Sequence, residues 1–135
     1  MRKSNYLFAF ISMILAISLG ALGAHKLKEL LTPEQLDSFK TGVFYQIVHA
    51  LAILCLIPLL NFMDKRNLKL VFTLMKIGPI LFSGSIYLLS TATLTGLESI
   101  KPILGPITPI GGLLMIVAWA VLAYHISRAN FKEEL

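Results

Sequence analysis

An all-α membrane protein, a bundle of four transmembrane helices with a short outer interfacial helix, is the architecture to expect of this sequence, and two observations lead to it. The first is scarcity of charge. Of 135 residues, 56% are hydrophobic and only 14% charged, against roughly 25% charged in an ordinary soluble domain, and mean hydropathy is +0.79. The second is where the charges fall. All 12 basic and 7 acidic residues lie in five short segments, Arg2–Lys3, Lys26–Lys40, Asp64–Lys76, Glu98–Lys101 and Arg128–Glu134. The four uncharged stretches between them are 21, 23, 21 and 26 residues long, and a helix crosses a hydrocarbon core of roughly 30 Å in about 20 residues. Barrel strands would be about half that length and would alternate apolar with polar. The pattern excludes a soluble enzyme and predicts a single domain over 1–135 with spans near 6–24, 43–62, 77–97 and 109–126.

The first span has a rival identity. Met1-Arg2-Lys3, the apolar run from Leu7 and the small residues Ala21, Gly23 and Ala24 resemble a secretory signal with its cleavage site. The run exceeds the usual ~7 to 15 residues. Its small residues also have a better use, because Ser12, Ala16, Gly20 and Ala24 recur at every fourth position and would let another helix approach closely, with Gly23 beside them. Retention is the expectation.

Between the first two spans, Thr32-Pro33-Glu34-Gln35 supplies a capping hydroxyl, a proline at the first helical position and a glutamine that can bond back to the cap. A helix should start at Pro33. Leu36, Phe39 and Val43 then share one side while Glu34, Asp37 and Lys40 fall elsewhere, which suits either a separate helix lying along the outer interface or extra turns on the second span. The second span carries Tyr45, Gln46 and His49 and a lone Cys55, which cannot form an intrachain disulfide. The third carries Ser83, Gly84, Tyr87 and Thr91. Next, Pro102, Gly105, Pro106 and Pro109 predict a proline-stiffened turn without regular helix. The fourth helix should begin at Pro109, capped by Thr108, with Gly111 and Gly112 offering backbone for packing. Trp119, Tyr124 and His125 read as an inner-half aromatic group.

Orientation follows from the basic residues. With the N-terminus cytoplasmic, the inner connections hold Arg2, Lys3, Lys65, Arg66, Lys69, Lys76, Arg128 and Lys132, and the outer ones only Lys26, Lys28, Lys40 and Lys101. Cytoplasmic loops are enriched in Lys and Arg, so both termini are expected inside. The isoelectric point near 9.5 then reports residues flanking membrane spans, and no nucleic-acid partner is expected.

Polar residues inside a membrane are costly unless paired or facing water. Tyr45 and His49 share a helical face with Gln46 beside them, and Ser83, Tyr87 and Thr91 form a stripe of the same spacing. Counting 1.5 Å per residue from each boundary puts His49 and Thr91 at one depth, so His49 is expected to meet Tyr87 or Thr91, with His25 at the outer mouth. The sober reading is that these groups join helices. The sharper one is an outward-facing site for a proton, a metal or a ligand. Two histidines without a cysteine or a placed carboxylate fall short of a metal's three or four ligands, so neither a metal nor a cofactor is expected. No nucleophile with a base, phosphate loop or carboxylate pair appears.

Four strings, GALGAHK at Gly20–Lys26, FYQIVHALAIL at Phe44–Leu54, LFSGSIYLL at Leu81–Leu89 and GPITPIGGLLMIVAW at Gly105–Trp119, together resemble the small bacterial inner-membrane proteins of the YgdD/YwdK type. That family is the domain of unknown function 423, with a eukaryotic relative in transmembrane protein 256. The resemblance implies a retained first helix, four spans and a multi-pass plasma-membrane location. It draws attention to Gly20, Gly23, His25, Tyr45, His49, Ser83, Gly84, Tyr87, Pro109, Gly111 and Gly112, and implies no catalytic role for any of them. The expected function is a non-enzymatic structural or interaction component whose partners are the lipid bilayer, copies of itself or other membrane proteins. The alternative is a small transporter, channel or ligand-handling protein using His25, Tyr45, His49 and Tyr87.

Overall fold

The computed structural model describes residues 1–129; Lys132, one of the cations that bear on orientation, lies outside them. Among the described residues seven helices follow in order: α1 (Arg2–Ala24), α2 (Lys26–Leu30), α3 (Pro33–Leu56), α4 (Lys65–Ser90), α5 (Ala92–Thr95), α6 (Lys101–Leu104) and α7 (Ile107–Ser127). Single 3-10 turns extend α3 over Ile57–Asn61 and precede α6 at Glu98–Ile100. Four helical segments, built on α1, α3, α4 and α7, are long and apolar enough to cross a membrane.

The start of α3 is written into the sequence. The Thr32 hydroxyl accepts from the Gln35 N–H at 3.3 Å while Gln35 Oε1 accepts from the Thr32 N–H at 3.0 Å, a reciprocal capping box with proline at the first position. Of the two expectations for the segment from Pro33, extra turns on the second span are what the structure has, and the separate interfacial helix is corrected. α3 runs unbroken to Leu56, because Leu36, Phe39 and Val43 pack with Leu27 and Leu31 in one apolar cluster and leave no reason for a bend. The short outer helix is α2, whose Leu27 anchors it in that cluster.

The third long helix also departs from expectation. It begins at Lys65, capped by Asp64 accepting from the Arg66 N–H at 2.8 Å, so most of the charged segment Asp64–Lys76 is helix rather than connection. Lysines on its outer side coexist with a buried face of Leu68, Val71, Phe72 and Met75, as an amphipathic period permits. The helix stops at Ser90, a further turn forms as α5, and Gly96 ends it with φ +71°, the left-handed conformation glycine adopts without penalty. Over 98–110 the prolines allow more helix than expected, since Pro102 falls in the first turn of α6 and Pro106 precedes α7, where a missing N–H costs nothing. α7 therefore starts at Ile107 rather than Pro109. Thr108 does not cap it, because its hydroxyl bonds Ser85 at 2.6 Å.

The long helices alternate in direction. α1 packs on α3, α3 on α4 and α4 on α7. Arg2 donates to Asn61 across one end, here the basic end, and Gln35 Nε2 donates to Thr93 at 3.4 Å across the other, the distal end. A core of Ala9, Ile53, Ile57, Phe72, Met75 and Ala118 holds the basic half together. The outside stays oily, with Ile14 64%, Phe44 62% and Ile116 66% exposed. Such a surface suits lipid rather than water, and it leaves packing and polar contacts, not hydrophobic expulsion, to join the helices.

Glycine sets the closest of those contacts. A Cβ on Gly111 would stand 2.4 Å from the Phe82 nitrogen and 2.8 Å from the Gly78 carbonyl oxygen, and one on Gly78 would stand 2.6 Å from Met115 Cγ. The α4 and α7 backbones therefore meet at a glycine pair, of which Gly78 carries no distinguishing mark in the sequence. Among the other expected packing positions, a Cβ on Gly20 would stand 3.4 Å from Val43 and one on Gly23 3.3 Å from Phe39, and Ser12 and Ala16 are buried. Three positions are corrected. Gly84 has open space where a side chain would be, a Cβ on Gly112 would stand at an ordinary 3.7 Å from the Phe82 ring, and Ala24 is exposed. The last follows from geometry, because a strict four-residue repeat drifts about 40° per step on a helix of 3.6 residues per turn. The buried face instead runs Asn5, Ala9, Ser12, Ala16 and Gly23.

Candidate polar sites between the helices

The polar residues singled out from the sequence do not converge on one place. They separate into two groups on different sides of α3, because at about 100° per residue Gln46 stands about 100° from Tyr45 and about 60° from His49 and so reaches other neighbours.

The first group bridges three helices. The Tyr87 hydroxyl on α4 donates to Gln46 Oε1 at 2.7 Å, and Gln46 Nε2 on α3 donates to the Ser12 carbonyl of α1 at 2.9 Å. One side-chain amide thus spends its acceptor on one neighbour and its donor on the other. Ser83 adds a second link by donating to the Gly42 carbonyl at 2.8 Å. The Tyr87 ring lies 4.9 Å from that of Phe39 and covers Gly42, where a Cβ would be 2.9 Å from the ring. Glycine at 42 is what lets the tyrosine lie flat enough to reach Gln46. Buried polar groups joined in this way hold helices in register at low dielectric.

The second group lies between α3, α4 and α7. Tyr45 packs on Phe82 with ring centroids 4.8 Å apart and is stacked at 6.2 Å on His49, which meets Trp119 at 6.5 Å. The His49 ring nitrogen Nδ1 is 2.9 Å from the Tyr45 carbonyl; a carbonyl can only accept, so Nδ1 carries the hydrogen. Nε2 is buried and has no partner among the described residues. A cavity of about 220 Å³ adjoins these rings, lined with Phe82, Met115 and Trp119.

Several expectations change here. His49 meets neither Tyr87 nor Thr91, since Tyr87 is taken by Gln46 and the Thr91 hydroxyl donates to the Tyr87 carbonyl of its own helix at 2.8 Å. His25 is exposed at the end of α1 and belongs to neither group. Trp119 leaves Tyr124 and His125, which face each other at 5.6 Å, and joins His49. Two further participants lie outside the expected set: Ser85, bonded to Thr108 between α4 and α7, and Asn5, whose buried amide nitrogen has no partner among the described residues. Asn5 has a sequence signal, standing seven residues before Ser12 on the same face. Nothing in the sequence marks Ser85 and Thr108 as neighbours. Among the described residues no three His, Cys, Asp or Glu side chains are grouped to share a metal ion.

Comparison with known proteins brings the chain into a family. Residues 19–112 match the model described as "Protein of unknown function (DUF423)", a region that includes Gln46, His49, Ser83, Tyr87 and both glycines of the α4–α7 contact. The UPF0382 membrane protein YwdK of Bacillus subtilis is 35% identical over 113 residues, covering 83% of this chain and 86% of its own. A UPF0382 membrane protein of Haemophilus influenzae is 36% identical over 133 residues, 98% of each chain. The UPF0382 inner membrane protein YgdD of Escherichia coli is 32% identical over 135 residues, 95% of each. No solved structure matches the chain. Length, apolar helices and similarity over nearly the whole sequence agree, and the chain is a membrane protein belonging to the DUF423 family.

Proposed function

We propose that the protein is a non-enzymatic component of the bacterial plasma membrane, with both termini cytoplasmic, which acts through the contacts its helices make with lipid, with partner membrane proteins or with copies of itself. The observation that supports this reading is how the intramembrane polar groups are employed. Tyr87, Gln46 and Ser83 spend their hydrogen bonds on neighbouring helices, which is the work of a scaffold. The orientation rests on the excess of Lys and Arg at the basic end, and the plasma membrane on the location in the name of the Escherichia coli relative. The transport or ligand-handling reading draws less support, because His25 is exposed and the Tyr87 hydroxyl is bonded to Gln46, on a different side of α3 from Tyr45 and His49.

The test is Gly20→Leu. Gly20 stands on the α1 face against α3, with Val43 Cγ1 at 3.4 Å from a Cβ, so a leucine forces α1 outward. Loss of the folded bundle or of its associations, read by detergent-resistant migration and crosslinking in membranes, is the expected result. Unchanged folding, association and phenotype would refute a role built on close helix contacts.

A further inference from the structure

We propose that the groove between α1 and α4 holds one anionic phospholipid, its phosphate at the basic end and an acyl chain running up between the two helices. The inference deepens the reading above by naming a lipid class, and it rests on that reading only for membrane embedding.

α1 and α4 both run from the basic end to the distal end, and each packs on α3, which leaves a furrow between them. At its foot is a concavity of about 550 Å³ lined by Arg2, Lys3, Leu60 and Lys65. Three cations thus face one space from two helices. The nearby carboxylate of Asp64 is engaged by the α4 N-terminus through the Arg66 N–H. Higher up, a second cavity of about 200 Å³ is lined by Phe8, Leu15 and Leu19 of α1 and by Pro79, Ile80 and Gly84 of α4. Lys76 stands between the two levels: its ammonium lies 5.7 Å from the centre of the Phe8 ring, and by the helical period it shares a face of α4 with Lys65 and Lys69.

The dimensions suit one lipid. From Lys3 at the foot to Leu19 the helix rises about 24 Å at 1.5 Å per residue, close to the half-thickness, about 20–22 Å, of a bilayer with its headgroups. The absence of any atom within 4 Å of a Cβ at Gly84 keeps the upper groove open where a larger side chain would fill it. Of the polar side chains at its back, Gln46, Tyr87 and Ser83 bond across to other helices. An apolar chain can therefore lie over these three, with only the small Ser12 hydroxyl beside them. A phosphate between Arg2, Lys3 and Lys65 gains charge-assisted bonds at the membrane surface.

Native mass spectrometry of the full chain, released from detergent with phosphatidylglycerol or phosphatidylcholine of equal chain length, tests this. One phosphatidylglycerol per chain should be retained in preference to phosphatidylcholine. The double variant Lys3→Gln/Lys65→Gln keeps the Arg2–Asn61 contact and should weaken retention about 25-fold, taking about fivefold for each basic side chain near the surface. Gly84→Leu should displace the acyl chain and lower retention of the same lipid at unchanged helicity by circular dichroism. Lys26→Gln/Lys28→Gln, at the other end, should change nothing. Equal retention of both lipids, or retention indifferent to Lys3→Gln/Lys65→Gln and to Gly84→Leu, would overturn the site. So would displacement of the lipid by soluble glycerol phosphate at matching concentration, which would make the foot a phosphate site without a chain. None of these failures bears on Gly20→Leu, so the two proposals fall separately.

Discussion

Gly111 and Gly112 are adjacent, equally prominent in the sequence, and should respond in opposite directions to one added methyl group. At Gly111 the new Cβ would be 2.4 Å from the Phe82 nitrogen and 2.8 Å from the Gly78 oxygen. Both are backbone atoms that no rotamer change can move, so α7 must recede from α4 by about 1 Å to restore van der Waals distance. Overpacking of this kind costs about 1–3 kcal/mol, and rigid backbone on both sides puts the cost toward the upper end. Alanine returns about 1 kcal/mol through its better helix propensity, which leaves Gly111→Ala less stable by about 1–2 kcal/mol. At Gly112 the nearest atoms belong to the Phe82 ring at 3.7 Å, an ordinary contact, so the propensity gain stands alone and Gly112→Ala should be more stable by about 0.5–1 kcal/mol. Reversible unfolding in mixed micelles by added dodecyl sulfate, followed by far-ultraviolet circular dichroism and by the fluorescence of the single tryptophan Trp119, measures both. The reasoning is refuted if Gly111→Ala matches or exceeds Gly112→Ala in stability. That outcome would mean that the α4–α7 contact is not limited by backbone approach.

Two other perturbations address the polar staple and the orientation. Tyr87→Phe keeps the ring against Phe39 and removes only the hydroxyl, so the cost should be that of one intramembrane hydrogen bond, about 0.6–2 kcal/mol, read in the same titration; no change would show that Gln46 finds another donor. With Cys55 replaced by serine, a cysteine at Lys101 should react with a membrane-impermeant maleimide in intact cells and one at Lys3 only after permeabilisation, and the reverse pattern would invert the proposed topology.

The helices are legible where one-dimensional signals are strong. Thr32, Pro33 and Gln35 announce the start of α3 because a capping box is local chemistry, complete within four residues. The prolines of 98–110 mislead because a proline's effect depends on its place within a turn, and that place is visible only once the flanking helices are set. The candidate sites are legible as residue types and not as partnerships. Tyr45, Gln46 and His49 stand together in the sequence, yet one step along a helix sends Gln46 toward α1 and α4 and leaves its neighbours facing α7.

Charge distribution and apolar length, read along the chain, determined that this is a four-helix membrane protein, since lipid tolerates neither free backbone groups nor bare charge and so dictates where helices must be. Which glycines touch, which hydroxyl reaches which amide, and which grooves stay open were decided by the tertiary structure. Those outcomes depend on the rotation of each helix about its axis, which is set by shape complementarity with its neighbours. A uniformly oily exterior, unlike the two-sided surface of a soluble helix, encodes little of that rotation in the sequence.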